Sequence, residues 1–254
     1  GGTRLWPLSR NSRPKQMLRL GTDRTLFQIA IDRLQGLFPP ERILVVTVVE
    51  QATELQRQAP QIPVENYLIE PLPRGTASVV GLAAVALGHR DPDAVMAVLT
   101  ADHVIRNVDT FQGLLKTAHA VAQQGYLVTL GIQPTYAATG YGYIQMGSRL
   151  VDVPDRPAYK AVRFKEKPDL ENAQAMIAQG DHVWNSGMFI WQVSRIRDEF
   201  KRLMPELFST LTQIEKSWNS PERSKVIQTV WPTIQPETID YGIMERAERI
   251  AVLP

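Results

Sequence analysis

The chain has 254 residues, of which 44% are hydrophobic and 21% charged, with a net charge of +2 and no cysteine. That length suffices for one large domain or two small ones with a well-buried core, and the missing cysteines exclude disulfides, thiolate metal sites and a cysteine nucleophile while suiting a reducing compartment. A near-neutral charge with 7% aromatic residues argues against nucleic-acid binding, and no apolar run reaches the roughly 18–20 residues of a membrane span.

Small residues open the chain at Gly1, Gly2 and Thr3. Four cations follow at Arg4, Arg10, Arg13 and Lys15, with Pro7 and Pro14 stiffening the segment. Backbone N–H groups of a glycine turn, together with cations, suit a polyphosphate; a solvated basic arm is the alternative. No apolar strand precedes this turn, and residues 249–254 read as a strand just begun. The sequence therefore reads as a fragment, incomplete at both ends, or as one with further segments beyond these.

Further on, apolar spacing alternates between two periods. Residues 25–37 read as helix and 42–49 as a strand buried on both faces. Helix is expected at 50–58, strand at 64–69, a buried helix at 76–88 and a buried strand at 94–100. Residues 109–124 read as a helix capped by Asp109, followed by a strand at 126–132. This alternation indicates an α/β fold with a mostly parallel sheet flanked by helices.

From about residue 133 to 254 the texture changes to that of a lid or a substrate-side portion. A glycine turn at 139–142 enters an extended segment, 159–167 alternates as a half-exposed strand, and 169–179 is helical. Residues 183–192 read as a strand interrupted at Asn185-Ser186-Gly187. Helices are expected at 194–203, 205–218, 221–230 and 241–248.

Several of these segments carry chemistry. Asp102 follows the strand at 94–100, where ligands of open sheets bind, and its carboxylate suits a hard cation such as Mg²⁺; a turn cap is the alternative. His103 suits a base or a buried, hydrogen-bonded histidine. Phe164-Lys165-Glu166-Lys167-Pro168 alternates charges at a strand end and also fits a lysine-guarded edge. Asn185, beside a glycine and flanked by Trp184 and Phe189, suits a pocket that reads hydroxyl groups, or an ordinary hairpin turn. Glu70 opens a rigid loop that either lines a ligand or only connects elements. No Ser-His-Asp set and no zinc signature is present.

Taken in order, Gly2-Thr3-Arg4-Leu5-Trp6-Pro7-Leu8-Ser9-Arg10, Pro14-Lys15-Gln16, Glu70-Pro71, Ala101-Asp102-His103, Thr139-Gly140-Tyr141-Gly142-Tyr143-Ile144, Phe164-Lys165-Glu166-Lys167-Pro168-Asp169 and Trp184-Asn185-Ser186-Gly187-Met188-Phe189 resemble the sugar-1-phosphate nucleotidylyltransferases, in their mannose/guanosine branch. The resemblance implies a Rossmann-like nucleotidyltransferase fold and a cytoplasmic enzyme making GDP-mannose and pyrophosphate from GTP and mannose 1-phosphate with Mg²⁺. By the same resemblance Gly1, Gly2, Thr3 and Arg4 would form the triphosphate loop, and Arg4 and Lys15 would neutralise the nucleotide phosphates. Glu70 would sit near the guanine and Asp102 would bind the metal. Gly142, Glu166 and Asn185 would contact the mannose ring, and Lys167 the sugar phosphate. No nucleic acid or membrane partner is implied, and a homo-oligomer is compatible with the chain.

Three features depart from that pattern. The strand before the glycine loop is missing, and no Asp-x-Gly-x-Trp stretch for a second metal-binding Asp is present. The loop at 74–78 reads Arg-Gly-Thr-Ala-Ser where the branch has Arg-Asn-Thr-Ala-Pro. Two other readings stay open: a nucleotidylyltransferase for another sugar 1-phosphate, and a non-catalytic homologue that binds GDP-mannose and regulates a partner.

Overall fold

The computed structural model describes residues 14–19, 21–151, 153 and 155–254. Its contacts form two compact units, one reaching Ile69 and adding Leu99–Gln112, the other comprising Glu70–Val98 and Gly113–Pro254.

In the first unit, helix α1 (Leu26–Asp32) begins at a capping box. The Thr25 hydroxyl accepts from the Gln28 N–H at 3.2 Å, and the Gln28 side chain accepts from the Thr25 N–H at 3.1 Å. Two otherwise orphaned donors are thereby satisfied. Phe27 and Ile31 of α1 pack with Val45 of strand β1 (Val45–Val48), Leu55 of helix α2 (Val49–Gln58) and Tyr67 of strand β2 (Tyr67–Glu70). The strand expected at 42–49 is shortened because Val49, 59% exposed, already opens α2. The segment expected as strand from residue 64 begins with a 3₁₀ turn, Val64–Asn66, whose buried Asn66 amide donates to the carbonyls of Glu41 and Ile43 at 2.9 Å each.

The second unit is built on a six-stranded sheet. Its strands are β3 (Val95–Val98), β4 (Leu127–Ile132), β5 (Tyr143–Arg149), β6 (Tyr159–Lys165), β7 (His182–Gln192) and β8 (Ile250–Leu253). They lie in the order β3-β7-β4-β8-β6-β5, and β5 also pairs with β7, so five strands close on themselves. The expectation of a mostly parallel sheet is corrected here: among the described residues β4–β8 is parallel, and the other pairings of this sheet are antiparallel. The physical reason is insertion. Strands β3 and β4 flank helix α4 (Val108–Gln123) in sequence, but β7 arrives from the second half of the chain and takes the place between them. The sheet is therefore mixed.

Helix α3 (Thr76–Arg90) is buried along most of its length, as its run of small apolar residues requires. Gly81 lets it approach Leu211 of helix α7 (Pro205–Lys216). Helix α6 (Val193–Leu203) buries Ile196 and Phe200, and its Glu199, 1% exposed, is held by Arg195 and Arg202. Helices α5 (Leu170–Gln179) and α8 (Arg223–Val230) complete the set. The cap expected at Asp109 of α4 is instead Asn107, which accepts from the Thr110 N–H at 2.9 Å. The helix expected at 241–248 is a π-helical turn, Asp240–Met244. No helix among the described residues is long and apolar enough to cross a membrane.

Gly75 explains one departure noted in the sequence. It sits at φ +87° and ψ 170°, a region essentially reserved for glycine. A Cβ there would collide with the backbone of Glu237, whose carbonyl accepts from the Ala77 N–H at 3.2 Å. We expect Gly75→Ala to lose at least about 1–3 kcal/mol of stability. Urea unfolding would show it as a lower midpoint at unchanged slope.

Candidate active site

In the first unit the chemistry centres on Asp102. Lys15 stands at the start of a one-turn 3₁₀ helix, Lys15–Met17, that follows Pro14. Its ammonium is paired with the Asp102 carboxylate, with 40% and 30% of the two side chains exposed. Burial pushes the Asp102 carboxyl up, but hydrogen bonding and charge from Lys15 more than reverse this, leaving it below the ordinary range. The Asp102 loop is held by Arg33, which is 3% exposed. Its guanidinium donates to the carbonyl of Thr100 at 2.6 Å and of His103 at 3.2 Å, so both flanks of Asp102 are pinned. Phe111 supports the guanidinium from 5.1 Å. His103 is held below its usual pKa chiefly by burial, so near neutral pH it is an uncharged neighbour.

In the second unit four predicted residues meet. Between the pairs Thr129–Phe189 and Gly131–Asn185, β7 advances four residues against two of β4. This is a bulge inside a continuous strand, which overturns the hairpin alternative for Asn185-Ser186-Gly187. Gly187 takes φ +70°, and its N–H donates to Asn185 Oδ1 at 3.1 Å. The same Oδ1 accepts from the Thr129 hydroxyl at 3.0 Å, while Asn185 Nδ2 donates to Asp240 Oδ1 at 2.7 Å. The Asn185 amide is thus fixed in one orientation with one N–H left over.

Gly142 accepts from the Asn185 N–H at 2.8 Å, and a Cβ on it would strike the Glu166 carboxylate. Glycine here is what lets Glu166 come close. Glu166 is 8% exposed; its Oε1 accepts from Lys167 Nζ at 2.5 Å, and its Oε2 is buried without a partner. Such an orphan acceptor calls for a donor from elsewhere. Lys167 takes φ +45°, and hydrogen bonding to Glu166 raises its pKa despite partial burial. Glu245 fixes the strand end by accepting from the Glu166 N–H at 2.7 Å.

The predicted set is thereby divided. Lys15 and Asp102 are brought together, and so are Gly142, Glu166, Lys167 and Asn185. Glu70 ends β2 with its carboxyl buried, its Oε2 unpartnered and its pKa raised by that burial. Gly1, Gly2, Thr3 and Arg4 lie outside the described residues. Arg33 and Asp240 were missed by sequence reasoning. Arg33 lies inside the helix expected at 25–37, with no motif around it, and Asp240 lies just before the helix expected at 241–248, where the structure has a π-turn, Asp240–Met244.

A metal fits this chain in a limited way. Among the described residues no group of three or more His, Cys, Asp or Glu side chains could hold one. Asp102 offers a single carboxylate, and Mg²⁺ is commonly held by one or two carboxylates together with substrate phosphates.

Asp240 is pushed up to about 6, first by burial and then by the Glu166 charge, against the pull of the Asn185 amide and Lys167. An acid whose pKa is raised by folding is most favourable to the fold below its unfolded value, and loses that as pH rises through its folded value. We expect Asp240→Asn to melt above the parent chain at about pH 7.5. The gap should narrow as the buffer is lowered from about pH 6 to about pH 4. A gap independent of pH would contradict this.

A model of the nucleotidyl transferase family matches residues 1–231. The mannose-1-phosphate guanylyltransferase ManC of Salmonella typhimurium is 37% identical over 262 residues, covering all of this chain and 54% of the relative. The chain spans about half the length of the curated relatives it matches. A solved structure from Thermus thermophilus, described as a mannose-1-phosphate geranyltransferase, superposes with a TM-score of 0.86 at 34% identity, over all of this chain and 71% of that one. One from Helicobacter pylori, described as a mannose-6-phosphate isomerase, gives 0.79 at 25% identity, over 96% of this chain and 93% of that one. With the ordered motifs, a mixed-sheet α/β fold and a family model matched over residues 1–231, the chain belongs to the nucleotidyl transferase family.

Proposed function

We propose that this chain is the catalytic domain of an enzyme that transfers GMP from GTP to mannose 1-phosphate, with residues 133–254 as its substrate-side portion. An oxygen of the sugar phosphate, already ionised near neutral pH, attacks the α-phosphorus in line. The new O–P bond forms as the bond from the α-phosphorus to the bridging oxygen breaks, and pyrophosphate leaves with the electron pair. No proton has to be moved, so the reaction requires no nucleophile–base pair. The barrier lies in bringing two polyanions together, and cations and positioning lower it.

The observation that carries this reading is the cluster around Glu166. A buried carboxylate oxygen without a partner, a locked amide with one free N–H and an adjacent lysine suit ring hydroxyls next to a phosphate. The names of the curated relatives support GTP and mannose 1-phosphate as the pair. In this reading Gly142, Glu166 and Asn185 bind the sugar ring and Lys167 its phosphate. Lys15, with Gly1, Gly2, Thr3 and Arg4, serves the triphosphate, and Glu70 serves the guanine. Mg²⁺, with Asp102 as a protein ligand, would supply positive charge to the nucleotide phosphates. Soluble phosphate esters as substrates suit a cytoplasmic enzyme.

Pyrophosphate release, measured with GTP, ATP, UTP and dTTP crossed against mannose 1-phosphate and glucose 1-phosphate, tests the reading. Release confined to GTP with mannose 1-phosphate is expected. Release with another pair would keep the mechanism and change the substrate. Tight GDP-mannose binding without turnover would favour a regulatory homologue. Lys15→Ala should lower turnover roughly 10²–10³-fold, about 2.7–4 kcal/mol. Lys167→Ala should chiefly raise KM for the sugar phosphate; a rise confined to GTP would refute its assignment.

A further inference from the structure

The proposed reaction leaves Asp240 without a task. It opens the π-helical turn Asp240–Met244, whose Gly242, Ile243 and Met244 are buried. Gly242 is pressed so closely on Met204 that a Cβ would lie 2.6 Å from its sulfur, and the Ile239 N–H donates to the Thr76 hydroxyl at 2.9 Å. The turn is therefore held firmly where it delivers the Asp240 carboxylate to Asn185. A purely structural bracket for an amide N–H would be better made from asparagine, which accepts the same hydrogen bond through its carbonyl oxygen. A second carboxylate near Glu166 brings like-charge repulsion and desolvation instead. Two converging acidic side chains, one with a buried oxygen lacking any donor, match a ligand rich in hydroxyl donors and poor in negative charge at that end.

We propose that Asp240 is a specificity residue of the sugar subsite. It locks the Asn185 amide and, with Glu166, accepts hydrogen bonds from hydroxyl groups of the uncharged ring of a hexose 1-phosphate. The inference rests on the sugar-phosphate reading above. Asp240 binds a hydroxyl that Glu166 does not, and it orients the free N–H of Asn185 through the 2.7 Å hydrogen bond.

Steady-state kinetics on the whole chain, at saturating GTP, with mannose 1-phosphate and its 2-, 3-, 4- and 6-deoxy analogues, test the proposal in the parent, Asp240→Asn, Asp240→Ala, Asn185→Ala and the double Ala variant. Asp240→Ala should raise KM for mannose 1-phosphate about ten- to a hundredfold, the loss of a hydrogen bond to a charged group. KM for GTP should stay within about twofold. Asp240→Asn keeps the acceptor for Asn185 and should recover part of the loss. One deoxy analogue should be penalised in the parent and almost unpenalised relative to mannose 1-phosphate in Asp240→Ala. The double variant should fall well short of the product of the two single effects, as residues acting through one another do. Equal deoxy penalties in parent and variants, a parallel rise in KM for GTP, or fully multiplicative effects would each overturn the proposal. A parent chain that turns over no sugar phosphate would overturn the functional reading, and this inference with it. An active parent with unresponsive variants overturns the inference alone.

Discussion

Strand β7 is the constraint on which the second unit depends. It runs from His182 to Gln192 and hydrogen-bonds to β3, β4 and β5, so it both fills the sheet and closes the five-strand ring. Its pairings with β3 and β5 run without a shift, whereas its pairing with β4 shifts at Asn185-Ser186-Gly187, where extra residues bulge. Such a bulge re-aims a strand side chain, and here it leaves the polar groups of Asn185 with partners. The Thr129 hydroxyl and the Gly187 N–H satisfy Asn185 Oδ1, so the polar residue is tolerated among Trp184, Met188 and Phe189, all of them buried. The sheet's closure and the candidate sugar subsite are thus consequences of the same strand.

Electrostatics in both units follows one logic. Each candidate phosphate-binding lysine carries an internal counter-ion, Asp102 for Lys15 and Glu166 for Lys167. These pairs are partly exposed, so they add little to stability. What they do is keep each ammonium at a defined place. An incoming phosphate, with more charge and more acceptor oxygens than a carboxylate, competes well for such a cation. The displaced carboxylate then needs a new partner. In the proposed reading, sugar hydroxyl groups would supply donors to Glu166 and a hard cation would partner Asp102. The carboxylates would then act as placeholders whose release is matched by the chemistry of the proposed substrates.

Much of this was legible in the sequence, for reasons that can be stated. Helices α2, α3, α5, α6 and α7 fall where apolar spacing placed them, because each buries one face or, for α3, nearly all of its surface. The expected ranges of two helices begin at Thr25 and Asp169, and in the structure each of these accepts an N–H of its helix's first turn. Sheet direction was not legible. Alternating helix and strand suggests neighbours joined by crossovers, and nothing local announces that a strand from residue 182 onward will separate β3 from β4. Register shifts are hidden for the same reason: the interruption in β7 is visible as Asn-Ser-Gly, but whether it turns or bulges depends on β4.

The candidate site divides along the same line. Residues in contiguous motifs, Lys15, Asp102, Glu166, Lys167 and Asn185, could be picked out because short runs of unusual residues surround them. Arg33 and Asp240 could not. Arg33 is a cation at the end of α1, and only folding carries it to carbonyls 67 and 70 residues away. Asp240 is one acid in an ordinary stretch, and its meaning arises from Asn185 and Glu166, which belong to other elements. The proposed reaction accounts for this asymmetry. Attack by a phosphate oxygen needs no base and no nucleophilic side chain, so no catalytic triad marks the sequence. It needs charge and hydroxyl acceptors held in fixed places, and holding them is done by residues that look ordinary until tertiary structure gives them partners.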